Sequence, residues 1–112
     1  MFTEFKVGDH VYKLKLTTRG IVQLEKDLGC NPLQMFMGID EDVLPKVGDM
    51  IIVLHRMLQP YNHGVSVDDT YDIFDDYIGE GNTTWDLIPV LLEVFQDAGF
   101  LPKEGGETDS KN

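Results

Sequence analysis

The stretch LEKDLGCNPLQMF, residues 24 to 36, holds a helix end, a lone cysteine and a helix start in immediate succession. Gly29 stands where a left-handed residue closes a helix, because glycine has no side chain to resist positive φ. Asn31 is a good N-cap. Pro32 suits the first helical position, where its missing N–H would have had no partner anyway. Upstream, Thr17 and Thr18 are caps for a helix whose Ile21, Leu24 and Leu28 form one apolar stripe. Downstream, Leu33, Phe36 and Met37 are expected to share a face of a short second helix that Gly38 ends. The stretch therefore reads as a corner between two helices. Its local signals account for every residue except Cys30.

On the N-terminal side, residues 2 to 16 read as a β-hairpin. Thr3, Phe5 and Val7 alternate with polar neighbours, as do Tyr12, Leu14 and Leu16, and Gly8-Asp9 separates the two arms. Tyr12, Leu14 and Leu16 are the expected buried face. A two-stranded ribbon is not stable by itself in water, so it must lie against helices.

On the C-terminal side, Pro45 is expected to start a core helix with Val47, Ile51, Leu54 and Leu58 as its stripe. Met50 to Leu54 are apolar all the way round, which marks either a central helix or one covered by another chain. Gly48, in its first turns, is expected to allow a close backbone approach. Ser66 and Asp69 resemble a capping box. After them Val67, Tyr71, Phe74 and Ile78 form an apolar stripe opposite Asp68, Asp69, Asp72, Asp75 and Asp76. Asn82 to Thr84 restart a last helix with Trp85, Ile88, Leu92 and Phe95 on one side, and Pro89 is expected to kink it. Gly99 followed by Phe100 is the pattern of a Schellman end. These readings give an α+β fold, mostly α-helical, with an N-terminal β-hairpin packed on a bundle of four to five helices. Residues 1–102 form a single domain (2–16 hairpin, 18–102 helical), and residues 103–112 are expected to be a disordered polar tail.

Among 112 residues, 20 acidic and 9 basic side chains leave a net charge of −11. Such a chain repels phosphate backbones and anionic membrane surfaces, so neither nucleic acid nor membrane is an expected partner. The start carries no signal-peptide pattern and no apolar run approaches the length of a membrane span, which points to the cytoplasm. One cysteine cannot form an internal disulfide.

No catalytic motif, phosphate loop or paired metal-ligand spacing occurs, so the expectation is a non-enzymatic protein without metal or cofactor. Cys30 precedes a helix N-terminus but has no base placed beside it by spacing. It reads as a small buried residue, with a cysteine hydrolase or transferase as the remote rival. The aspartates follow helical spacing rather than the alternate positions of a calcium loop, and read as a solvated face. The methionines carry more. Flexible, polarisable side chains beside apolar neighbours suit a surface that accepts several shapes, which makes Met35, Phe36, Met37 and Met57 the expected partner contacts.

The run LTTRGIVQLEKDLGCNPLQMF, residues 16 to 36, after a short hairpin and with AGFLP at 98 to 102, resembles the tail assembly chaperones of long-tailed phages and prophages of Gram-positive bacteria. The resemblance implies a protein of the host cytoplasm that holds the tape measure protein soluble and helps recruit tail tube subunits around it. It also implies a longer product, made by frameshifting, in which the tail from Lys103 becomes a linker. Self-association is open. The rival reading is an acidic DNA mimic, whose aspartate-studded helix would occupy the basic cleft of a nucleic-acid-binding protein.

Overall fold

The computed structural model describes residues 1–102, and the expected polar tail at 103–112 lies outside the described residues. Strand β1 (Thr3–Val7) pairs antiparallel with β2 (His10–Leu14), in a register that sets Phe5 opposite Tyr12. Gly8 turns the chain between them with φ of 62°, a value side chains resist. Four α-helices follow: α1 (Thr18–Leu28), α2 (Val47–Leu58), α3 (Val67–Gly79) and α4 (Thr84–Asp97). Two short 3-10 helices, Pro32–Phe36 and Ile39–Glu41, fill the connection from α1 to α2. The fold is the expected α+β one, a ribbon lying on helices. No helix among the described residues is long and apolar enough to cross a membrane.

The corner that begins at Leu24 is held by local bonds. The Gly29 N–H donates to the Glu25 carbonyl with Gly29 at φ 73°, and the Asn31 side chain accepts from the Leu33 N–H. Ser66 and Asp69 close a capping box around the start of α3, and Thr83 and Asp86 close another around α4. At the end of α4, the Phe100 N–H reaches the Phe95 carbonyl and the Gly99 N–H reaches Gln96, the paired bonds of a Schellman end. Helix α4 runs through Pro89 without ending; that residue faces solvent, where a helix tolerates a tilted carbonyl best.

Helix α2 is the centre. Met50, Ile51, Val53, Leu54, Met57 and Leu58 are buried, and α1, α3, α4 and β2 all pack on it. Its all-round apolarity is therefore met within this chain. Beyond Leu14, the Lys15 N–H donates to the Met57 carbonyl, and the Asn62 side-chain amide donates to both Lys13 and Leu58 carbonyls. The same open end of the ribbon is tied on the other strand by the Thr3 hydroxyl, which donates to Asp97 at 2.9 Å.

Several expectations need correction. The core face of the ribbon comes from both arms, with Thr3, Phe5 and Val7 buried and Tyr12 only half-buried. Helix α2 starts after Pro45, because Lys46 takes the extended N-cap conformation, and Val47 faces out. A Cβ added at Gly48 would meet no atom of the described residues within 4 Å; the close approach is at Gly38, where an added Cβ would lie 2.7 Å from the Val43 Cβ. Cys30 is exposed rather than buried.

Candidate interaction surface

Met35 and Phe36 lie in the first 3-10 helix and are partly buried against the core. The Phe36 ring meets Phe95 edge-on, with centroids 5.8 Å apart. Met37 does not share their face and is 77% exposed. The reason is helix type: 3-10 winding repeats every three residues, aligning Leu33 with Phe36 and turning Met37 outward. Val43, further along the same connection, and Val47, the first residue of α2, are also exposed.

Met57 is the correction in this set. It is fully buried in α2, at 0% exposure, so it belongs to the core and offers no surface to a partner. Of the four expected contacts, one is open, two are partly covered and one is inside.

The second apolar surface lies on α3. Its buried residues are Thr70, Ile73, Phe74 and Tyr77, while Val67, Tyr71 and Ile78 remain 43%, 50% and 37% exposed. The expected stripe of Val67, Tyr71, Phe74 and Ile78 is therefore turned outward except at Phe74. Two contacts explain the rotation. The Thr70 hydroxyl donates to the Ser66 carbonyl at 2.9 Å, so it can be buried with its bond made. The Tyr77 ring packs on Phe5 of β1 at a centroid distance of 4.9 Å. Threonine is not read as apolar in a hydropathy pattern, so this competing stripe was hidden; the paired partner for Tyr77 lies in a distant strand.

Similarly, α4 buries Leu87, Ile88, Leu91, Val94 and Phe95, and leaves Trp85 exposed near its start. That side chain was expected inside.

The aspartates of α3 are exposed, as expected of a solvated face. Asp69, Asp72 and Asp76 border a shallow groove against His10 and Tyr12 of β2. The two rings stack there at 4.0 Å between centroids. Burial, reinforced by the Asp76 and Asp69 carboxylates, pushes the Tyr12 phenol above its ordinary pKa. The Tyr77 phenol is raised in the same sense by burial, then by Asp86 and Glu80. Asp69 is held below the usual carboxylate range, first by the backbone N–H of Ser66 and then by the serine side chain.

The remaining candidates for chemistry stand apart. His55 Nε2 lies 3.2 Å from the Val65 carbonyl, a structural bond across the loop after α2. Cys30 sits on the outside of the corner. Among the described residues, no group of three or more His, Cys, Asp or Glu side chains could hold a metal ion.

These features define a class of small α+β protein: a two-stranded ribbon tied to a central helix, with acidic flanks and uncovered apolar rows. The chain belongs to a protein family of unknown function, DUF6096, which it matches over residues 2–112. No curated protein and no solved structure matches it.

Proposed function

We propose that this protein is a non-enzymatic assembly chaperone of the phage tail type that its sequence resembles, acting in the host cytoplasm. Its client would be the tape measure protein, whose apolar helical stripes need cover until tube subunits enclose them. The observation that carries the reading is the row of Val67, Tyr71 and Ile78, exposed along one helix of a strongly acidic body. Residues four, then seven apart along a helix stand on one side of it, the spacing with which helices recognise each other. The open Met37, with Met35 and Phe36 beside it, supplies a second adaptable contact. A net charge of −11 keeps a body with such rows dispersed.

The test is co-expression with the longest coiled-coil protein encoded nearby in the same genome, then pull-down at low and high salt. Apolar contacts predict a complex that survives high salt and is weakened by Tyr71→Ser with Ile78→Ser. A second reading rests on the five exposed aspartates of α3, Asp68, Asp69, Asp72, Asp75 and Asp76, which would mimic phosphates toward a basic cleft. It predicts capture of a basic partner that is lost at moderate salt. No complex at either salt concentration would sink the chaperone reading.

A further inference from the structure

The chain contains two arginines, Arg19 and Arg56, against 20 acidic residues. Both line one cleft of about 350 Å³ between the start of α1 and the end of α2. Among the described residues none lining it is acidic, in a chain where acids outnumber bases two to one. The floor is Gly20: a Cβ added there would lie 3.7 Å from the Arg56 Cδ, which places the arginine stem against the first turn of α1.

The arginines are under-used. Arg56 Nε is buried and has no hydrogen-bond partner among the described residues. Its Nη2 approaches Asp27 Oδ2 only to 3.6 Å, an ion pair beyond hydrogen-bond reach, while the other oxygen, Asp27 Oδ1, accepts from the Gln23 amide at 3.0 Å. Arg19 is exposed and makes no ion pair among the described residues. A buried guanidinium N–H left without an acceptor is expensive, since it has lost water and gained nothing. The first turn of α1 carries no acidic side chain, so its positive end also opens on the cleft unneutralised. The neighbouring Gln59 cannot serve as acceptor through its amide nitrogen, which donates to the His55 and Val65 carbonyls.

We propose that this cleft is a carboxylate-binding site, and that it takes one carboxylate presented by a segment of a partner protein. A guanidinium fork matches a carboxylate's two oxygens, and the exposed Arg19, with the partly exposed Arg56 side chain beside it, supplies the donors. A single monoanion fits the charge present: Asp27 near Arg56 offsets part of the two positive charges, and the −11 body opposes any extended polyanion. The site is separate from the apolar rows of α3 and Met37, and does not depend on the chaperone reading. Two sources share this chemistry, an acidic side chain and a chain-terminal carboxylate.

The experiment is amide and arginine Nε–H NMR of the full chain, titrated at constant ionic strength. The probes are acetyl-Gly-Glu-Gly-amide, acetyl-Gly-Gly-Gly with a free carboxylate, acetyl-Gly-Gln-Gly-amide, inorganic phosphate and sodium chloride. Either carboxylate peptide should shift the Arg19 and Gly20 amides and the Arg56 Nε–H saturably, and the stronger of the two names the source. The Gln peptide should do nothing. Arg19→Gln should weaken the carboxylate peptide by about fivefold or more, as loss of one charge-assisted contact does, and Arg56→Lys by a similar factor through loss of the fork. Because Arg19 is exposed, its variant tests the site without disturbing the core. Shifts reproduced by chloride, tighter binding of phosphate, or unchanged affinity in Arg19→Gln would each overturn the proposal.

Discussion

Helices α2 and α3 are nearly equal in length, at 12 and 13 residues, and both carry strong apolar patterns, yet the fold treats them differently. Around α2 every side has a neighbour, so the apolar turn from Met50 to Leu54 goes almost entirely inside. Helix α3 packs chiefly on α2 and β1, so its apolar residues divide between core and solvent. Burial follows neighbours as much as residue type. A helix with two apolar rows and one docking site must leave one row uncovered, and the uncovered row is the surface available to a partner.

The strongest way to break this comparison is at Met57. If it is core, Met57→Ala should lower stability by about 2–5 kcal/mol in urea unfolding, the range for deleting a buried methionine side chain. A partner contact at the surface would instead lose binding with little change in midpoint. Gly38→Ala should follow, with a loss of about 1–3 kcal/mol, because the added Cβ meets the stiff Val43 Cβ at 2.7 Å rather than a yielding side-chain tip. Ser66→Ala removes the N-cap of α3 and should cost about 1 kcal/mol, read in the same way.

Smaller still are Tyr71→Ser and Ile78→Ser, each expected within about 0.5 kcal/mol of the parent in thermal or urea unfolding, since neither side chain is in the core. A larger loss in either would mean that α3 is packed as the hydropathy pattern suggests, and the contrast with α2 would fail.

The smallest effects concern pH. Asp69 has a folded pKa below its unfolded one, so its contribution to stability is present above the unfolded value and is lost as pH falls through the folded one. The protection factors of amides at the start of α3, taken against intrinsic exchange at each pH, should therefore fall in acid, and Asp69→Asn should remove that dependence. Tyr12 and Tyr77 shift the other way. Their folded forms hold the proton more tightly, so stability should decline once pH rises past the ordinary tyrosine value. Ultraviolet titration of the phenols should show these two ionising late.

Much of the fold is legible in the sequence. The corner at Gly29 to Pro32, the Ser66–Asp69 box, the hairpin turn at Gly8 and the Schellman end at Gly99 all appear where their residues indicate. The candidate surface was legible only in part. Met37 is open, but Met57 is inside, and the row on α3 was assigned to the core. The 3-10 winding of Pro32–Phe36 was also unreadable, because its caps are the same as those of an α-helix.

The sequence by itself determined where most elements begin and end, the start of α2 and the Ile39–Glu41 helix excepted, since neither has a side-chain cap. Those decisions rest on donors and acceptors a few residues apart, such as the Asn31 side chain and the Leu33 N–H, and the local chain brings them together. Only the tertiary structure decided which side of α3 faces inward, that Met57 is enclosed, and that Arg19 and Arg56 share a cleft. Each of those outcomes is set by surfaces distant in the chain: Phe5 claims Tyr77, four elements close over α2, and the first turn of α1 lies against the Arg56 stem. A residue's own chemistry says what it can bury, but its neighbours in space determine whether it does.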